Sequence, residues 1–330
     1  MAVIASQSGS ANDVHSLVDI IDTGEKRIVR LLRPQKGTYS KLDSFETDWP
    51  EELLYSLVRL KREWFVDSFQ RFEHPNYVQK QIDLCLELYN LKLGDGPILD
   101  FGCGFGASSY CMARRGAMNI VASDLEKPNT SFASEFFAAR GLSSRVTIFS
   151  GDITTSLKPR SFSIIWLQAV MEHLLPEERQ TYLRRFWESL MPGGILIITE
   201  TPNRVWPIEG HTTGGTWWIP WMRPQTVFTR MRNVEKYRAY SDVDFYRCGI
   251  IGSSYREILD CLGRPDDCVE LSLQVRRYFK TLYARAVKKS PARGLAVNLL
   301  GLSEPLLCSL LRRPPSAYMP FLNHLVFQKQ

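Results

Sequence analysis

A short apolar run, Ile98–Phe101, leads into a turn that is rich in glycine. Gly102, Gly104 and Gly106 alternate in this turn, and a segment of helix-like composition begins at Ala107. Glycine adopts positive φ at little cost and lets a ligand approach the main chain closely. Backbone N–H groups at the start of a helix favour an electronegative ligand. Residues 97–108 therefore predict a strand, a tight turn and a helix, with a ligand at the turn.

The glycines alone leave the ligand open, because Gly102, Gly104 and Ala107 also fit the spacing of a dinucleotide fingerprint. A turn without any ligand is a further alternative. Asp100 favours a different reading, since a carboxylate two residues before the first glycine would repel a diphosphate. The same carboxylate suits a cationic ligand, such as the amino group of S-adenosylmethionine (SAM).

The order acid-x-Gly-x-Gly-x-Gly, from Asp100 to Gly106, resembles the first motif of class I SAM-dependent methyltransferases of the small-molecule type. The run from Met171 to Leu174 is similar to a segment of methyltransferases like those of ubiquinone biosynthesis. The resemblance covers residues 97–201 well. It implies a Rossmann-like, seven-stranded, mostly parallel sheet with helices on both faces.

The pattern of the chain agrees with that fold class. Apolar runs alternate with helical segments, with strands expected at 98–101, 119–123, 146–150, 162–167 and 195–199. Helices are expected near 49–71 and 77–91, and a last strand at 324–328 is expected to insert antiparallel. We divide the chain into a helical extension or lid (1–95), a SAM-binding core (96–201), an aromatic lid insert (202–254) and a segment that completes the sheet with a helical insertion (255–330).

Further acids follow the second and third strands of this core. The resemblance implies that Asp124 accepts the ribose hydroxyls, while Asp152 and the backbone of Ile153 bind adenine. Without the resemblance, Asp124 and Asp152 could each be explained as residues that form a turn after a strand. The implied cofactor-binding residues are Asp100, Gly102, Cys103, Gly104, Gly106, Asp124, Leu125, Asp152, Ile153 and Gln168.

Two histidines are candidate general bases, because the ordinary pKa of histidine is near neutrality. His173 follows the fourth strand, and His211 lies in the run Glu209-Gly210-His211-Thr212-Thr213. The alternatives are that Glu172 and His173 cap the following loop and orient its backbone, and that His211 ties the backbone of its own loop together. Some methyltransferases of the resembling family bind a divalent metal near the Glu-His pair, which is Glu172-His173 here, and use a further acid three residues before the glutamate. That position is Ala169 in this chain, so we expect no metal.

The substrate is expected to be a small molecule of secondary or specialised metabolism, held by Arg204, Trp206, Trp217 and Trp218. Oxygen is the first choice of methyl acceptor, with nitrogen or carbon as alternatives. Two other hypotheses stay open: an NAD(P)-dependent oxidoreductase, and a catalytically silent protein that binds SAM as the partner of an enzyme.

Net charge, cysteine content and the composition of the termini indicate where the protein is located and what it binds. The net charge is +6, but no basic and aromatic array suggests nucleic acid binding. Seven scattered cysteines and an N-terminus unlike a signal peptide predict a cytoplasmic protein with reduced thiols. Residues 288–311 are basic at first and then rich in leucine. We interpret this segment as a helix of the core or of a homodimer interface. The alternative is a helix that lies on a membrane surface.

Overall fold

The computed structural model describes residues 14–283 and 291–330, with only the backbone described for residues 291–293. The N-terminal part holds strands β1 (Val18–Asp22), β2 (Arg27–Leu31) and β3 (Ser44–Thr47). They form a three-stranded antiparallel sheet in the order β1-β2-β3. Strands β1 and β2 form a hairpin whose turn includes Gly24 at a φ of +92°.

Three helices follow: α1 (Glu51–Lys61), α2 (Phe65–Glu73) and α3 (Val78–Tyr89). The single helix predicted at 49–71 is divided at Arg62, which has a φ of +48° and begins a short 3₁₀ turn. The buried rings of Trp49, Phe72 and Phe136 pack together, with centroids 4.4–5.1 Å apart. Such aromatic packing stabilises this part of the chain by removing large apolar surfaces from water.

The central part alternates strands and helices as predicted. Its elements are β4 (Ile98–Phe101), α4 (Ala107–Arg114), β5 (Ile120–Asp124), α5 (Lys127–Ala139), β6 (Val146–Ser150), β7 (Phe162–Gln168), α6 (Pro176–Ser189) and β8 (Leu190–Thr199). The expected strand bounds hold to within a residue, except that β8 begins at Leu190 instead of Ile195. The glycines at 193 and 194 led to that error, because they read as a turn before the strand.

The C-terminal part contains more regular structure than its sequence suggested. Its elements are β9 (Thr201–Pro202), β10 (Ile208–Glu209), β11 (Thr216–Trp217), α7 (Pro224–Met231), α8 (Asp242–Arg247), α9 (Tyr255–Leu262), β12 (Cys268–Glu270), α10 (Tyr278–Leu282), α11 (Pro291–Pro305), β13 (Phe321–Leu322) and β14 (Leu325–Lys329). Residues 202–254, the aromatic insert of the sequence analysis, therefore hold helices α7 and α8. They meet through stacked rings of Phe228 and Phe245, with centroids 4.9 Å apart.

Seven strands form the main sheet, in the order β12-β14-β8-β7-β4-β5-β6. The pairs β4/β7, β7/β8 and β5/β6 are parallel, whereas β14 is antiparallel to both β8 and β12. This confirms the Rossmann-like sheet and the antiparallel last strand. In such open sheets, ligands bind at the carboxyl ends of the parallel strands.

The described chain forms two compact units. One comprises residues 14–83 and 103–153, and the other comprises residues 84–102, 154–283 and 291–330. Within residues 14–283 and 291–330, no helix is long and apolar enough to cross a bilayer.

Candidate active site

The first part of the glycine turn follows β4. Asp100 lies at the end of this strand and is only 1% exposed. Gly102 has a φ of +70°, and a Cβ atom at this position would lie 2.6 Å from Cγ2 of Val170. Both the backbone angle and the missing space therefore require glycine.

The second part of the turn is tied to β5. Oδ2 of Asp124 accepts a hydrogen bond from the N–H of Gly104 at 2.9 Å, and Oδ1 accepts one from the N–H of Glu126 at 2.9 Å. The N–H of Cys103 donates to the carbonyl of Ser123 at 2.9 Å. A carboxylate has about four lone-pair sites. Nδ2 of Asn129 also donates to Oδ1 at 3.4 Å. Asp124 therefore accepts three hydrogen bonds from the protein and keeps about one site for a hydroxyl group.

The other adenosine-binding candidates lie in the same unit. Leu125 is 53% exposed immediately after β5. Asp152 follows β6, and Ile153 is buried at the start of a 3₁₀ turn, Ile153–Ser156. An exposed apolar side chain beside a carboxylate is suited to contact a base while the acid binds the sugar.

Lys61 is a polar residue near this region that sequence reasoning missed. Its Nζ donates to Oδ1 of Asn129 at 3.0 Å and lies 4.4 Å from the ring centroid of Phe105. Burial lowers the pKa of the Lys61 ammonium group to about 8. No local motif could have indicated it, because the contact joins the end of α1 to residues that come much later in the chain.

Gln168 ends β7, and its side chain joins two neighbours. Its Oε1 accepts from Nε1 of Trp166 at 3.2 Å, and its Nε2 donates to Oε2 of Glu200 at 2.7 Å. Ala169 and Glu200, which directly follow β7 and β8, have φ values of +53° and +58°. Residues other than glycine pay a conformational cost there, and such strain concentrates at functional sites.

Glu172, His173 and His211 form a cluster close to these strand ends, in the same unit. Oε1 of Glu172 lies 3.8 Å from Nε2 of His173 and 3.8 Å from Nε2 of His211. The Glu172 side chain is fully buried, and among the described residues neither of its oxygens has a hydrogen-bond partner. The structure thus brings together both histidines that the sequence singled out, around a carboxyl group.

Hydrogen bonds assign the tautomer of each histidine. Nδ1 of His173 lies 2.7 Å from the carbonyl oxygen of Arg247, which can only accept, so Nδ1 carries the hydrogen. The hydroxyl of Thr212 donates to the carbonyl of Cys248 at 3.0 Å and therefore accepts from Nδ1 of His211 at 3.2 Å. In the neutral rings, the lone pairs are consequently on the two Nε2 atoms that face Glu172.

Burial shifts the pKa values in this cluster toward neutral groups. It raises the pKa of the Glu172 carboxyl to about 8 and lowers the pKa of His173 to about 3. Desolvation penalises whichever form carries charge. At neutral pH, His173 is therefore an uncharged imidazole, and Glu172 is largely protonated.

Glu209 holds the loop that carries His211. Its buried carboxylate accepts from the N–H groups of His211, Thr212 and Thr213 at 2.6–2.8 Å. Successive N–H groups that point at one carboxylate form a strong, charge-assisted network. The sequence singled out this run for its histidine and hydroxyls, but the structure shows that the glutamate organises it.

Gly249 gives the cluster its space, and sequence reasoning missed it as well. It has a φ of +79°, and a Cβ atom there would lie 3.0 Å from Cε1 of His173, 3.0 Å from Cε1 of His211 and 3.1 Å from Cγ of Glu172. A single missing methyl group therefore allows the three side chains to converge.

The predicted substrate residues occupy two environments. Arg204 and Trp206 line a cavity of about 100 Å³, and the Arg204 guanidinium donates to the carbonyls of Pro220 and Met222. Trp217 and Trp218 are 55% and 51% exposed, with ring centroids 5.9 Å apart. Residues 202–254 supply both tryptophans, His211 and most of the cavity lining, and Pro320 and Phe321 complete that lining.

The cluster can perform two kinds of chemistry. An imidazole Nε2 can accept a proton from a substrate hydroxyl or amine. Alternatively, one ligand atom from each of Glu172, His173 and His211 lies within 4.8 Å of the others, which would allow a divalent cation to bind. Removing divalent metals distinguishes these two uses.

Comparisons with known proteins found a matching family model, curated relatives and similar solved structures. Residues 98–194 match a family model described as a methyltransferase domain. Phosphoethanolamine N-methyltransferase 1 of Arabidopsis thaliana is 34% identical over 116 residues, which are 35% of this chain and 23% of that protein. A carboxy-S-adenosyl-L-methionine synthase of Shewanella piezotolerans is 30% identical over 109 residues, which are 32% of this chain and 44% of that protein.

The chain thus spans less than half the length of these curated relatives. Among solved structures, phosphoethanolamine N-methyltransferase 1 of Haemonchus contortus has a TM-score of 0.33 and 18% identity, over 38% of this chain and 26% of that one. The matched family segment contains Asp100, the glycine turn, Glu172 and His173, whereas His211 and Gly249 lie outside it.

Proposed function

We propose that this chain, whose residues 98–194 form a class I SAM-dependent methyltransferase domain, transfers the methyl group of SAM to a small molecule. One observation carries the proposal. The segment that matches the methyltransferase family contains Asp100 and the glycine turn, in which Gly102 has both a positive φ and no room for a side chain. That geometry suits a ligand that contacts the main chain.

In this proposal, the acids after the strands bind SAM. Asp100 pairs with the amino group of the methionine part, and Asp124 accepts the ribose hydroxyls. Asp152 and the N–H of Ile153 bind adenine, with Leu125 against its face. The glycine turn, Cys103 included, and Gln168 complete the set. Together these groups favour a cationic nucleoside over a dinucleotide, because two added phosphates would face carboxylates.

His211 is the proposed general base for an acceptor hydroxyl. The acceptor oxygen attacks the methyl carbon of the sulfonium in line, the bond from carbon to sulfur breaks, and S-adenosylhomocysteine leaves as a neutral thioether. The proton of the hydroxyl goes to Nε2 of His211, whose Nδ1 hydrogen is held by Thr212. His173 is the alternative base, although burial lowers its pKa to about 3 and makes it the poorer proton acceptor.

Glu172 is proposed to support this base. In the fraction of molecules in which Glu172 is ionised, its carboxylate, with Oε1 3.8 Å from Nε2 of His211, would stabilise an imidazolium on His211, because opposite charges attract strongly in a buried site. The cost of protonating His211 is thereby reduced. An amine acceptor could use the same base, and the N-methylating relative makes it the second choice of acceptor class.

We propose that residues 202–254 cover the substrate. Arg204 and Trp206 line its cavity, and Trp217 and Trp218 offer aromatic surface next to the loop of His211. Binding energy and the exclusion of water would supply most of the acceleration, since methyl transfer requires alignment more than covalent help. An apolar or aromatic acceptor fits this lining best.

Calorimetry tests the cofactor. SAM and S-adenosylhomocysteine should bind, NADH should not, and Asp100→Asn should weaken SAM binding, whereas Asp95→Asn, at an exposed position nearby, should not. If the variant at buried Asp100 fails to fold, Asp124→Ala provides the same test. Binding of NADH alone would establish the oxidoreductase alternative.

A substrate screen with labelled SAM tests the reaction, and its acceptors should include phenols, other hydroxyl compounds and phosphoethanolamine. Tight SAM binding with no acceptor would support the silent-partner alternative. Dialysis against EDTA should leave transfer unchanged. Activity that is lost to EDTA and restored by a divalent cation would assign the cluster of Glu172, His173 and His211 to a metal instead of a base.

A further inference from the structure

A row of leucines on α11 and the π-helical turn after it (Leu306–Leu310) faces solvent. They recur every three or four residues, which places them on one side of a helix. Their exposed fractions run from 51% to 76%. We call this set the leucine face; it consists of Leu295, Leu299, Leu302, Leu306 and Leu310.

The opposite side of the same helix is anchored to the protein. Val297 and Cys308 are buried, and the carboxylate of buried Glu304 accepts from the N–H groups of Arg277 and Phe279, each at 2.7 Å. The helix is therefore held with its leucine face outward. These leucines are exposed, so the core part of the interpretation of residues 288–311 as a core or dimer helix is wrong for this face, and its dimer part stays a prediction.

Positive charge borders the leucine face. Arg312 and Arg313 are exposed just after it. Arg276, Arg277 and Lys280 line a groove on the anchored side of the helix, together with Val297 and Glu304. Glu304 is the single acidic residue between positions 295 and 313, and it is buried. The exposed surface of this segment thus combines leucine and arginine without a compensating acid.

We propose that the leucine face docks on the surface of a bilayer that contains anionic lipid. The helix would lie in the plane of the interface, with its leucines among the upper acyl chains and its cations at the headgroups. No helix in the described ranges could span the membrane, so this is surface contact. A second copy of the chain is the less suitable occupant, because a symmetric dimer would bring two sets of these cations together without acids to pair them.

Membrane docking is separate from methyl transfer, and vesicle binding can be measured without SAM or an acceptor. The full chain is floated with vesicles of phosphatidylcholine, with and without phosphatidylglycerol. The wild type should float with the anionic vesicles, and less so as salt rises. Leu302→Glu with Leu310→Glu should reduce binding about tenfold or more, because both side chains would have to bury a charge. Arg312→Gln with Arg313→Gln should remove much of the salt dependence.

The matched control is Leu32→Glu with Met118→Glu, which adds two acids at apolar positions that are 55% and 56% exposed elsewhere. It should keep nearly all vesicle binding, and circular dichroism should show intact helices in every variant. A wild type that stays unbound at low salt would overturn the proposal. So would a dimer in sedimentation velocity that the two leucine substitutions dissociate while vesicles never bind.

Discussion

Oε1 of Glu172 lies 3.8 Å from Nε2 of His211, although the two residues come from different elements. Glu172 belongs to the 3₁₀ turn after β7, and His211 to the loop between β10 and β11. The carboxyl group comes from the segment that matches the methyltransferase family, and the histidine comes from outside it. The matched segment thus supplies the proposed cofactor residues, whereas the base that would act on this chain's own acceptor is added by the later segment.

Replacing His211 tests the proposed base. His211→Ala should lower kcat by about 100-fold or more, since it removes the proton acceptor. SAM should still bind with nearly unchanged affinity, because His211 is not among the proposed cofactor residues. Steady-state kinetics and calorimetry measure both quantities. His74→Ala, which removes a histidine outside the cluster, is the control, and a His211 variant with normal kcat would mean that His173 is the base or that transfer needs no general base.

Gly249→Ala tests whether the convergence of the three side chains matters. The new Cβ would approach His173 and His211 at 3.0 Å and displace them, so kcat should fall while SAM affinity holds. Alanine at a φ of +79° also raises the conformational free energy of the folded state. Gly24→Ala, at a φ of +92° with nothing within 4 Å, shows what that backbone cost does alone. Equal kcat in both variants would mean that the packing around the cluster is irrelevant to turnover.

The cluster was predictable in part. Residue type and local sequence indicate His173 and His211, whereas Glu172 stands out only as the neighbour of His173. Their convergence depends on how the loop after β10 packs, which no periodicity reports. Gly249 and Lys61 carry no motif, because their importance comes from contacts with residues remote in the chain.

The fold was more predictable than the site. The alternation of apolar runs and glycine turns gave β4 to β7 almost to the residue, because parallel core strands are apolar on both faces. The three-stranded N-terminal sheet and helices α7 and α8 were not predicted. They are short and half-buried, so their apolar residues are too few to show a clear period.

Gly102→Ala tests the glycine turn. The Cβ atom would lie 2.6 Å from Cγ2 of Val170 at a φ of +70°, and we expect a loss of about 1–3 kcal/mol in the free energy of unfolding together with weaker SAM binding. Val170→Ala should relieve the clash in the double variant but not the backbone strain. A double-mutant cycle from chemical denaturation separates the two costs, and full additivity would contradict a direct clash.

The pH dependence of stability tests the buried cluster. Glu172 has a pKa of about 8 when folded against an ordinary 4.5, so between these values only the folded state holds the proton, and stability falls as pH rises. His173 has a pKa of about 3 against 6.5, so in that window only the unfolded state is protonated, and stability rises with pH. Together the two groups predict that the free energy of unfolding is greatest between pH 4.5 and 6.5.

The variant Glu172→Gln tests this profile. It should raise Tm more at about pH 8.5 than at about pH 5.5, because it removes the group whose ionisation is unfavourable in the folded state. Equal gains at both pH values would show that Glu172 is not held protonated.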